Sequence, residues 1–196
     1  MMSDRVLNFD PSAHTYSVNG EIVKSVTQHI EAAGLLGSAA SFYTDETASR
    51  GTRIHAACAD HDRTGVYHIH QTERGYVDSY VAWLSLTAPA WSHVETPHYS
   101  HILNVAGTAD RIGTIGGVPV VLDLKTGAAA GWHGVQLACY DLLYRQKTSD
   151  PPRQRIGLYL QRNGRIAHSR TYAANADYTV ALTLLHTVKK EEKTCR

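Results

Sequence analysis

The chain has 196 residues, of which 43% are apolar and 19% charged, and its 19 basic and 18 acidic side chains leave a net charge of +1. That is enough chain for one globular domain with its own core, and so even a balance does not by itself announce a nucleic-acid partner. The start, MMSDRVLNFDPSAH, has no signal-peptide core, no run has the length of a membrane span, and Cys58, Cys139 and Cys195 form neither a disulfide framework nor a CxxC knuckle, so a single cytosolic domain without membrane contact is expected.

The first unit along the chain is a hairpin: HTYSV and EIV flank Asn19-Gly20, which supplies the positive φ that both central residues of a type I′ turn need. SVTQHIEAAG reads as a short helix with Ser25 or Thr27 as its cap and Gly34 as its stop. DETASRGTRIHAACADHD, residues 45–62, reads as the next helix, capped by Asp45, with Ala48, Gly51, His55, Cys58 and Ala59 on one stripe. A further helix spans about Glu73 to Leu86, with Val77, Tyr80, Val81 and Leu84 at core spacing.

The period then changes. Val94 to Lys125 reads as strands broken at Asn104 and at the tight turn Gly116-Gly117. A helix from about His133 to Gln146 ends before Pro151-Pro152, IGLYLQ and RIAHSRTY form a hairpin about Asn163-Gly164, and a last helix runs from about Asp177 to Lys190. This order implies an α/β arrangement with a mixed sheet. From Leu142 to Ala176, Arg145, Lys147, Arg153, Arg155, Arg162, Arg165 and Arg170 stand against the single acid Asp150. Such a run is a phosphate-facing surface or, more commonly, a solvated face.

VVLDLKTG, residues 120–127, places Asp123 and Lys125 in a strand that is otherwise apolar. With Gly116 and Gly117 as the turn residues, Val118 faces Ile115 and Asp123 faces Asp110. Cβ atoms of directly opposed residues lie about 5 Å apart, so two carboxylates there repel unless a cation offsets them. Side chains alternate along a strand, so Asp123 and Lys125 share one face while Leu124 points to the core. Hard oxygen ligands with room for water are what Mg²⁺ or Mn²⁺ requires. The plainer alternative is a β-bulge that separates the acids, or local ion pairs of Asp110 with Arg111 and of Asp123 with Lys125.

The stretch GTADRIGTIGGVPVVLDLKTG, followed by GVQLACYDLLY, resembles the PD-(D/E)XK nuclease superfamily, and within it the RecB-like subgroup with its small phage-type exonucleases. The family's G-x-x-D, D-x-K and Q-x-x-x-Y motifs are matched in order by Gly107 and Asp110, Asp123 and Lys125, and Gln136 and Tyr140. The subgroup's upstream helical G-x-x-x-H is matched by Gly51 and His55, and its Glu before the second motif by Glu95. HTYSVNGEIVKSVTQHIEAAG also looks like the start of phage members, and the resemblance runs from residue 9 to about 190. It implies a restriction-endonuclease-like α/β core at 45–190, a central mixed β-sheet flanked by helices, behind an N-terminal hairpin and helix extension at 1–44. It further implies metal-dependent hydrolysis of DNA phosphodiesters to 5′-phosphate and 3′-hydroxyl ends, by an exonuclease of recombination, repair or phage DNA metabolism. An endonuclease of the same fold and a catalytically silent nucleic-acid-binding module are the alternatives, and a recombination or replication partner protein is compatible with either. Iron–sulfur members of the subgroup carry four cysteines, so a chain with three, unsuitably placed, is expected to hold no cluster.

The resemblance also assigns roles. Asp110 and Asp123 are the expected metal ligands, with His55 and a backbone carbonyl near Leu124 added by family analogy, and a histidine ligand favours Mn²⁺ at least as much as Mg²⁺. Glu95 completes a second metal position or orients a water. Lys125 holds the attacking water and neutralises the transition state. Gln136 and Tyr140, four apart on one helical face, reach the scissile phosphate or support the ligands, and Arg50 and Arg53 contact backbone phosphates. Taken singly, each has a blander reading: a packed histidine, an exposed strand glutamate, a core tyrosine, surface arginines.

Overall fold

The computed structural model describes residues 6–10, 13–37, 44–145 and 151–194. Strands β1 (Leu7–Asp10), β2 (Thr15–Val18) and β3 (Glu21–Val23) form an antiparallel meander, with Asn19 and Gly20 at φ +52 and +86 in the turn. β1 is the element the sequence reading missed, because Leu7 and Phe9 alternate over only four residues, LNFD. The meander packs Tyr16, Val18 and Val23 against Ala106, and the Tyr16 hydroxyl is 2.8 Å from Thr108 Oγ1.

Of the two candidate caps of α1 (Val26–Ala32), Ser25 is the one used: its Oγ accepts from the Gln28 N–H at 3.2 Å while Gln28 Oε1 accepts from the Ser25 N–H at 2.8 Å. α2 (Asp45–Thr64) is capped by Thr44, one residue before the expected Asp45, whose side chain lies outside the described residues. The buried side of α2 carries Ile54, Ala57, Cys58 and Ala59, whereas Ala48 is exposed. Gly51 is not a point of close approach either, since a Cβ built there meets nothing within 4 Å.

After α3 (Arg74–Thr87) come β4 (Ala90–Ser100), β5 (Val105–Ile115) and β6 (Val118–Lys125), then α4 (Trp132–Tyr144), β7 (Gln154–Tyr159), β8 (His168–Thr171) and α5 (Ala176–Thr194). The strands make one sheet in the order β4-β5-β6-β7-β8, with β6 and β7 parallel across the α4 crossover and the other pairs antiparallel. A crossover helix is what a parallel pair needs, and here it carries the Gln136 and Tyr140 face back onto the sheet. This is the mixed α/β architecture expected, with helices on both faces.

One face packs Val121 and Ile112 against Leu137, Ala138, Leu143 and Leu185 from α4 and α5; the other packs Val120, Leu122, Leu124 and Leu158 against Ile54, Cys58, Val77 and Tyr80 from α2 and α3. β7 and β8 form the expected hairpin, but their ladder closes at Tyr159↔His168, so Asn163-Gly164 sits inside a longer loop. The basic run is not one face. Arg145 and Arg153 bind Asp141, Arg155 is buried on Asp177 and the Gly134 carbonyl, and only Arg162, Arg165 and Arg170 are exposed, while Lys147, Asp150 and the expected helix end at Gln146 lie outside the described residues. Among the described residues no helix is long and apolar enough to cross a membrane.

Candidate active site

The β5–β6 ladder keeps the register set by its turn, with Gly116 and Gly117 at φ +57 and +82, from Ile115↔Val118 to Arg111↔Leu122. One step past that last pair stand Asp110 and Asp123, where the two strands part. The fork leaves an amide for a side chain: Leu124 N–H donates to Asp110 Oδ2 at 2.5 Å. The contact Leu124 makes with the acid is therefore through its N–H.

The other oxygen, Asp110 Oδ1, lies 3.3 Å from Nδ1 of His55, which reaches in from α2. Glu95 enters from β4, where the register Val94↔Arg111 and Thr96↔Ala109 sets it across from Asp110, and its Oε1 is 4.0 Å from His55 Nδ1. One ligand atom from each of His55, Glu95 and Asp110 falls within 4.8 Å of the others. Glu95 has φ +47 in the middle of a strand. That conformation costs a non-glycine residue about 1–2 kcal/mol, and strain of this kind gathers at functional sites. Two carboxylates and an imidazole are a donor set suited to a divalent cation of the Mg²⁺ and Mn²⁺ type.

On the other side of the fork, Asp123 is buried and Lys125 Nζ lies 2.5 Å from its Oδ2. The same ammonium donates to Gln136 Oε1 at 2.7 Å and sits 5.1 Å from the centre of the Trp132 ring, while Gln136 Nε2 faces the Tyr140 hydroxyl at 3.5 Å. Asp123, Lys125, Gln136 and Tyr140 thus form one polar line between sheet and α4. Gly107 permits it: a Cβ there would stand 3.1 Å from the Tyr140 ring and 3.2 Å from Leu143. Of the alternatives left open by the sequence, the Asp123–Lys125 ion pair is present. Arg111, by contrast, donates to the main-chain oxygen of Asp110, at 2.7 Å, and not to its carboxylate.

Charge is crowded here. Burial raises the pKa of Glu95 to about 7, helped by Asp110 and opposed by His55 and Arg111. Burial also raises that of Asp123, against the pull of Lys125. Asp110 goes the other way, because His55, Arg111 and the Leu124 amide outweigh its burial. Burial pulls His55 down, but Asp110 above all, then Glu95 and Asp123, carry it up to about 9. At neutral pH an imidazolium therefore balances the carboxylates, and a metal ion must displace that proton to bind.

The sequence reading passed over the support behind Glu95. Arg111 is fully buried, its Nε 2.5 Å from Asp62 Oδ2 and 3.2 Å from the Tyr80 hydroxyl, its Nη1 3.3 Å from Glu95 Oε1. The signal was an arginine in the middle of ADRIGTI, a strand whose other residues are nearly all small or apolar. His133 was also missed: its Nδ1 meets the Tyr159 hydroxyl at 2.8 Å. Of the two arginines expected on phosphates, Arg53 is held by both oxygens of Glu73, and Arg50 lies 6.0 Å from the Tyr76 ring centre.

A family model described as the PD-(D/E)XK nuclease superfamily matches residues 66–191, more than half of the chain. The chain belongs to this superfamily. The matched region of this PD-(D/E)XK nuclease contains Glu95, Asp110, Asp123, Lys125, Gln136 and Tyr140, and begins after Arg50, Arg53 and His55. Nucleases of the superfamily use divalent metals on nucleic-acid substrates, and the three-ligand cluster at the fork is where this one could hold such an ion. No curated protein matches the chain.

Proposed function

We propose that this PD-(D/E)XK nuclease is a Mg²⁺- or Mn²⁺-dependent deoxyribonuclease, acting as an exonuclease in recombination, repair or phage DNA metabolism. The observation that carries the metal-dependent reading is the meeting of His55, Glu95 and Asp110 within 4.8 Å at the fork. His55 Nδ1, Asp110 Oδ1 and the Glu95 carboxylate are the ligands we assign, and Asp123 and the Leu124 carbonyl, both on β6, are the candidates for a further position. When bound, the cation supplies a water of lowered pKa and offsets charge on the phosphoryl oxygens.

The protein's own groups do the rest. The Leu124 amide fixes one oxygen of Asp110, so the other is presented to the fork. Arg111 holds Glu95 in its strained conformation. Lys125, steadied by Asp123 and Gln136, offers its ammonium to the attacking water and to the negative charge that grows on the phosphorus oxygens. Tyr140 backs Gln136 on the same helical face, and with Oε1 taken by Lys125 and one Nε2 donor by Tyr140, Gln136 has one N–H left to offer the scissile phosphate. Support for an exonuclease comes from the resemblance to RecB-like members.

The test is incubation of purified protein with end-labelled linear and covalently closed circular DNA in Mn²⁺, Mg²⁺ or EDTA. We expect degradation of the linear form alone, with 5′-phosphate products, and none in EDTA. Cutting of the circle makes it an endonuclease, and binding without cutting in either metal makes it a silent module.

A further inference from the structure

Arg170, on the edge strand β8, has no carboxylate partner among the described residues, a condition it shares with Arg50, Arg63, Arg162 and Arg165, whereas Arg53, Arg74, Arg111, Arg145, Arg153 and Arg155 each have one. Its position is set by the sheet. Asp123 pairs with Gly157, and Gly157 pairs with Arg170. Residues paired across strands point to the same face, and neighbouring strands lie about 4.8 Å apart, so Arg170 stands about 10 Å from Asp123 on the face that carries Lys125. In the next row, Lys125, Tyr159 and His168 are aligned in the same way.

The ground between Asp123 and Arg170 is built of fixed rings. Gly157 contributes no side chain, and a Cβ there would stand 3.1 Å from both the Tyr159 hydroxyl and the Tyr172 ring that fill the space. Those hydroxyls are 2.5 Å apart, the first is 2.8 Å from His133 Nδ1, and the second donates to the Ala130 carbonyl at 3.2 Å. The Arg170 guanidinium lies 4.9 Å from the centre of the Tyr172 ring. Stacking orients the fork while leaving its donors to solvent, which is how an arginine is prepared for a phosphate.

We propose that Arg170 binds a backbone phosphate flanking the one at Lys125, so that the strand being cut crosses Tyr159 and Tyr172 towards the edge of the sheet. This inference rests on the nuclease reading above and adds a direction to it. Arg170 is exposed, so its replacement leaves the core intact.

The experiment measures binding of a labelled DNA oligonucleotide to the full chain over a range of salt, with Ca²⁺ in place of the catalytic ion, for wild type, Arg170→Ala, Arg170→Lys and the control Arg74→Ala. Arg170→Ala is expected to weaken binding about tenfold and to reduce the slope of log K against log salt by about 0.7–0.9. Arg170→Lys keeps the slope, and Arg74→Ala changes neither quantity. A neutral methylphosphonate walked along the oligonucleotide then finds one position at which wild type loses affinity and Arg170→Ala loses no more. If wild type binds and cuts while Arg170→Ala keeps the wild-type slope, or the two losses add at every position, this inference falls and the nuclease reading stands. If wild type neither binds nor cuts, both fall.

Discussion

Two buried clusters of acids show opposite ways of keeping charge inside this protein. Asp141, on α4, is fully buried and saturated: Arg145 donates from Nε at 2.8 Å and from Nη2 at 2.6 Å, Arg153 from its amide and Nη1 at 3.2 Å each, and Tyr178 from its hydroxyl at 2.7 Å. At the fork the cations are shared instead of surplus, since His55 lies between Asp110 and Glu95, Arg111 serves Asp62 as well as Glu95, Asp123 has Lys125, and the pKa values are driven apart. A carboxylate with a surplus of donors ties α4 to the strand and helix around it. Carboxylates that share their cations, with pKa values pushed apart, mark a functional site at which a bound cation would relieve the repulsion that remains.

The contrast can be broken from either end. The largest stability effect is expected from Asp141→Ala, which leaves Arg145 and Arg153 without their counter-charge and should lower unfolding free energy by about 3–5 kcal/mol, read by urea denaturation. Asp123→Asn instead removes a charge that burial and the neighbouring Asp110 disfavour, and should leave stability close to wild type while abolishing cleavage; a loss of stability as large as that of Asp141→Ala would erase the distinction. Lys125→Ala, in a protein that still melts cooperatively, should cut kcat about 10²–10³-fold.

Metal should sharpen the difference further. At a hundredfold excess over Kd, Mn²⁺ stabilises a one-site protein by about 2.7 kcal/mol, seen as a rise in Tm; we expect that rise in wild type, its loss in His55→Ala, and its persistence in Tyr178→Phe. A last effect concerns pH. Glu95 has a folded pKa of about 7 against 4.5 in the unfolded chain, so between these values the native state binds the extra proton. Its contribution is full below pH 4.5 and lost as pH rises through 7, at no more than about 1.4 kcal/mol per unit. In EDTA, Glu95→Gln should therefore flatten the stability profile from pH 5 to 7, and an unchanged slope would show that Glu95 does not titrate in that window.

How much of this could be read from the sequence differs from residue to residue. The helices at 26, 45, 74 and 132 were legible within a few residues, and errors fell on caps, Thr44 for Asp45, where neighbouring residues compete for one helix end. β1 escaped because four residues carry too little alternation. The arginine run was read as a surface, although Arg155 is buried on Asp177, a partner supplied by α5.

The chain's local chemistry by itself determined that Asp110 and Asp123 would come abreast, since a two-glycine turn sets the register of its hairpin and the register carries every later pair. It also determined that Lys125 would share Asp123's face and that Gln136 and Tyr140 would share one side of a helix. Only the tertiary structure decided which acids and which base form the cluster. His55 comes from a helix about fifty residues upstream, Glu95 from a strand residue at positive φ, and Arg111 reaches Asp62 across the packed face of α2. Those meetings depend on how helices and sheet settle against one another. No spacing along the chain encodes that angle.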